Sequence, residues 1–122
     1  MRRPFLIVCG LIWTGMGLWG MVAPAAMVAP LGIPVEGLDA VADVRAMYGG
    51  LALACAAVVF WHLADDERVS NGLIFNALTV GSLGVCRLIT MLLWMSATPL
   101  TVFLTVVELS TAAVATALAR SE

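Results

Sequence analysis

Four apolar runs, at residues 5–23, about 46–63, 73–95 and 100–119, carry between them only two charged side chains, Arg87 and Glu108. A helix rises 1.5 Å per residue, so roughly 20 apolar residues cross a hydrocarbon core about 30 Å thick. Each run is close to that length. Backbone in lipid must satisfy its own hydrogen bonds, and a single apolar segment does so as a helix. Composition agrees: 62% of residues are hydrophobic and 11% charged, against roughly 45–50% and about 25% in a water-soluble domain. The six cations are all arginines and the net charge is -2, which provides no basic face for nucleic acid.

The connections at 64–72 and 96–99 are short enough to impose antiparallel neighbours. The sequence therefore reads as an all-α membrane protein: one domain over residues 1–122, an antiparallel bundle of four transmembrane helices at about 5–23, 39–63, 73–95 and 100–119. Between the first two lies an irregular outer segment, residues 24–38, whose Pro24, Pro30 and Pro34 prevent a continuous helix. Asp39 and Asp43 then form the acidic first turn of the second helix, where carboxylates suit the positive end of the dipole. Arg2, Arg3, Arg68 and Arg120 fall on one side of such a bundle and Arg45 alone on the other, so the positive-inside rule places both termini in the cytoplasm. A cleaved leader ending near Ala23-Pro24-Ala25 is the alternative, but its apolar stretch of 19 residues exceeds the 7 to 15 usual for leaders.

Helices associate in lipid through small residues that let backbones approach. Gly10, Gly17 and Gly20, then Gly49, Ala52 and Ala56, then Gly81 and Gly84 make three such seams, available to helices of the same molecule, to a second copy or to another membrane protein. Trp61 and Trp94 fall at helix ends, as interfacial aromatics do. Cys9, Cys55 and Cys86 sit inside apolar runs with no metal-binding spacing and read as reduced, structural thiols. His62, beside Trp61, reads as interfacial. No cofactor or metal site is expected.

Arg87 and Glu108 demand explanation, because an ionisable group inside a spanning helix is costly and faces protein or water. Arg87 lies eight residues before Met95 and Glu108 eight after Leu100. Folding the hairpin between them sets the two at one depth, roughly 12 Å from the outer end, where they can pair. Thr101, Thr105, Glu108, Thr111, Ala112 and Ala115 share a stripe, while Phe103, Val106, Val107 and Val114 fall elsewhere. Asn76 shares the Arg87 face. Arg45 and Tyr48 are three apart near the outer end of the second helix, followed by Gly49 and Gly50. Asp43, Arg45, Tyr48, Arg87 and Glu108 are thus candidates to line an outward-opening pocket, with Asn76 deeper. The alternative is a closed salt-bridge network that fixes helix register.

The Asp43–Leu51 stretch DVRAMYGGL, the Cys86-Arg87-Leu88 step and the lone Glu108 in the last helix resemble a bacterial family known as domain of unknown function 4345. The resemblance spans nearly the whole sequence. It implies small four-helix proteins of the bacterial cytoplasmic membrane and no activity; relatives often have glycine where Cys86 stands, which leaves the arginine in place.

Three functions compete. A binding or structural module would oligomerise or partner another membrane protein through its glycine seams with Arg87 and Glu108 as internal ties, or hold a small or lipophilic ligand at the buried cluster. An intramembrane enzyme, isomerase- or hydrolase-like, would use Glu108 as acid or base, Tyr48 as proton donor and Arg87 as electrostatic partner. A small transporter subunit is the third, although the small multidrug exporters carry their glutamate in the first helix, which here has no charge. No phosphate-binding loop, nucleophile elbow or dinucleotide fingerprint occurs.

Overall fold

The computed structural model describes residues 1–121. The protein is all-α, with no strand among the described residues: α1 (Arg2–Val22), α2 (Pro24–Val28), α3 (Gly37–Val44), α4 (Leu51–Leu63), α5 (Val69–Trp94) and α6 (Pro99–Arg120). A π turn, Arg45–Gly50, joins α3 to α4, and the Leu51 N–H donates to the Ala46 carbonyl across it. Four helices are long and apolar enough to cross a membrane: Arg2–Val22, Gly37–Leu63, Asp66–Trp94 and Pro99–Arg120. The 21 residues of α1 extend about 31 Å at 1.5 Å per residue, one hydrocarbon core.

Helix limits depart from the apolar runs for physical reasons. Helix α1 begins at Arg2 and α5 at Val69 because backbone hydrogen bonding continues past the apolar runs into the neighbouring polar sequence. The segment 24–38 is less irregular than its prolines suggest. Pro24 occupies the first turn of α2, where its missing N–H costs nothing, and Pro30 lies in the 3-10 turn Ala29–Leu31. Because α3 starts at Gly37, Asp39 is in its first turn but Asp43 falls a turn later. At the other hairpin, α5 stops where Met95 turns left-handed at φ 50, and Thr98 caps α6 by accepting from the Thr101 N–H at 3.1 Å.

The fold divides into two compact units, residues Ile7–Trp61 and the remainder, Met1–Leu6 with His62 onward. In the first, α1 runs antiparallel to the segment 45–63. A Cβ built on Gly10 would meet Val59 and Phe60, one on Gly17 would meet Leu53, and one on Gly20 would lie 2.7 Å from the Gly49 nitrogen. Gly49 in turn faces Met21. Ala52, Cys55, Ala56 and Val59 are buried along the same helix. These glycines are filled from within the molecule, which removes them as a surface for a second copy.

In the second unit α5 and α6 form the dominant helix pair. Gly84 meets Leu109 and the Cβ of Glu108, Gly81 meets Ala112, and Gly72 meets Leu6 and His62. The far ends are tied by Ser70, whose hydroxyl donates to the Ala119 carbonyl at 3.0 Å. On α6 the stripe expected from threefold and fourfold spacing is the covered one: Thr105 and Ala115 are buried, whereas Phe103, Val106, Val107 and Val114 are exposed. An exposed valine face is what lipid requires.

Candidate functional site

Arg87 on α5 and Glu108 on α6 are joined by two hydrogen bonds. The Arg87 Nε donates to both Glu108 carboxylate oxygens at 3.1 Å. Hairpin register brings them level, and the small residues Gly81 and Gly84 let the helices approach closely enough for the side chains to meet. The glutamate is the more enclosed partner, its side chain 13% exposed against 30% for the arginine. Both hydrogen bonds to the carboxylate use Nε. Threonines flank the pair on α6. Thr105 directs its hydroxyl to the Thr101 carbonyl at 2.8 Å, which satisfies it within its own helix. Asn76, three turns below Arg87 on the same face of α5, is fully buried.

Asp43, Arg45 and Tyr48 belong to the other unit and are described within it. Asp43 is exposed and Tyr48 half-buried. Arg45 donates from Nε to the Met21 carbonyl at 3.0 Å. Met21 lies in the last turn of α1, whose final carbonyls lack intrahelical partners, so the Arg45 guanidinium caps that helix end. Tyr48 meets α1 through its backbone, where Gly20 approaches its carbonyl. Of the two ways Gly49 could serve, close approach of a helix or of a ligand, the helix is realised. Arg45→Ala is expected to cost about 1 kcal/mol, read as a lowered thermal unfolding midpoint in detergent. Glu36→Ala, at a helix start where its side chain makes no capping bond, should leave that midpoint in place.

None of the three cysteines forms a disulfide among the described residues; Cys9 and Cys55 are buried and Cys86 is exposed. No group of three or more metal-ligating side chains occurs among the described residues. One contact has no signal in the sequence: Arg3 bridges Asp66 at 2.9 Å and donates to the Leu63 carbonyl at 2.8 Å. The pairing crosses some sixty positions, beyond any local spacing rule.

An all-α fold with four membrane-length helices and an ion pair inside its last hairpin defines a small membrane protein. The family described as a domain of unknown function, DUF4345, matches residues 1–119, and the protein belongs to it. No curated protein and no solved structure matches the sequence.

Proposed function

We propose that this is a multi-pass protein of the bacterial cytoplasmic membrane, both termini cytoplasmic, that binds a small or lipophilic ligand carrying a hydrogen-bond acceptor at Arg87. The observation that carries this reading is the one-sided use of the guanidinium: Nε is clamped by Glu108 at 3.1 Å while nearly a third of the side chain is exposed. In a bilayer that exposure faces apolar surroundings, where a guanidinium N–H needs an acceptor. Arg87 is seven residues from the end of α5, about 10 Å of helix, so an acceptor has to be brought to it. Glu108 supplies the counter-charge and holds the fork in position. The orientation rests on Arg2, Arg3, Arg68 and Arg120: Arg3 reaches Asp66 in the loop that carries Arg68, and Ser70 ties the start of α5 to the end of α6, beside Arg120.

The test is native mass spectrometry of protein purified from its membrane in mild detergent. The wild type is expected to carry a discrete co-purifying mass that the paired exchange Arg87→Leu with Glu108→Leu abolishes while the thermal midpoint is kept. Identical spectra from the two proteins would overturn the reading.

A further inference from the structure

We propose that the cavity at the end of the second unit where the spans Arg2–Val22 and Asp66–Trp94 begin binds the phosphate of an anionic lipid headgroup, with Arg2 as its principal contact. The cavity, about 460 Å³, is lined by Met1, Arg2, Arg3, Pro4, Asp66 and Val69. Arg2 opens the span Arg2–Val22 and Asp66 opens the span Asp66–Trp94, so the cavity sits at the level where two membrane-length helices begin. Headgroup phosphates lie at that depth.

The charges around it are unevenly matched. Asp66 is engaged by Arg3 at 2.9 Å, and Asp65 by Arg68 at 3.4 Å while it also accepts from the Glu67 N–H. Arg3 is occupied twice over, since it also donates to the Leu63 carbonyl. Arg2 has neither kind of partner: it forms no ion pair among the described residues, and its Nε is buried with nothing to accept its hydrogen. A buried charged donor left unbonded is expensive. The walls of this cavity carry two guanidinium groups and one carboxylate, and that carboxylate is already committed. A phosphate oxygen at the accessible edge of Arg2 balances its unmatched charge, and the planar guanidinium fork suits its geometry. This site is distinct from the Arg87–Glu108 pair and does not depend on it.

The experiment uses the full-length protein in nanodiscs of phosphatidylcholine with a minority of phosphatidylglycerol, followed by native mass spectrometry of the lipids retained on release. The wild type is expected to hold phosphatidylglycerol about tenfold in excess of its share of the bilayer. Arg2→Ala should bring retention down to that share, and Arg2→Lys, which keeps charge and topology, to an intermediate value. Arg87→Leu with Glu108→Leu should leave the enrichment unchanged. Retention in proportion to bilayer composition in the wild type would overturn the proposal, as would equal enrichment in the wild type and Arg2→Ala. In a third arm millimolar inorganic phosphate is added: no displacement is expected, and displacement of the lipid would reassign the cavity to free phosphate and defeat the lipid assignment.

Discussion

Replacing Glu108 alone by leucine is expected to destabilise the α5–α6 hairpin by about 3 kcal/mol, whereas exchanging Arg87 and Glu108 together for leucine restores stability to within about 1 kcal/mol of the native protein. The reason is asymmetric desolvation. Glu108 is the more enclosed partner, and both of its oxygens accept from one nitrogen of Arg87 at 3.1 Å. Removing the carboxylate leaves a guanidinium inside a membrane-length helix without a counter-charge, and its escape toward the helix end requires a rotamer change across about 10 Å of apolar surface. Removing both charges leaves a leucine pair beside Gly84 and Leu109, a surface already apolar. Reversible unfolding in bicelles of the native protein, the two single variants and the double variant closes a thermodynamic cycle. The expectation is a coupling above about 2 kcal/mol; additive single effects would show that the pair contributes nothing as a pair.

The second large effect is expected at Gly20. A methyl group there would lie 2.7 Å from the Gly49 nitrogen and from the Tyr48 carbonyl carbon, and 2.8 Å from the Tyr48 oxygen. All three atoms are backbone, so no rotamer change relieves the clash and α1 must move off the segment 45–63 as a body. Gly20→Ala should therefore cost about 2–3 kcal/mol, the upper range for overpacking. Gly15 supplies the comparison on the same helix: nothing lies within 4 Å of its Cβ position, and Gly15→Ala should be neutral or stabilising by up to about 1 kcal/mol through helix propensity. Gly50, adjacent to the crowded Gly49, meets only the Arg45 carbonyl at 3.8 Å, and Gly50→Ala should resemble Gly15→Ala. Thermal unfolding in detergent distinguishes the three. Equal midpoints for Gly20→Ala and Gly15→Ala would mean that α1 does not depend on this contact.

Much of the site is legible in the sequence because it depends on spacing along one hairpin. Arg87 and Glu108 flank a short turn at matched distances, and α6 separates threonines from valines with helical period. The remainder is hidden there for two reasons. Helix ends follow hydrogen bonding, not hydropathy, so Asp43 lies a turn deeper than its apolar neighbours imply and α2 forms within a proline-bearing stretch. Roles that depend on distant residues leave no periodic signal: Arg45, expected to line a pocket, donates to the Met21 carbonyl twenty-four positions away.

By itself, the sequence determined the all-α class, the number of membrane-length helices and the meeting of Arg87 with Glu108. Each follows from hydropathy or from register within a hairpin, both local properties of the polypeptide. Only the tertiary structure decided that α1 covers Gly49, that Asp66 neutralises Arg3 and that Arg2 is left beside a cavity with a buried, unbonded nitrogen. Those outcomes depend on which remote atoms come within a few ångströms, and many backbone paths satisfy the same hydropathy.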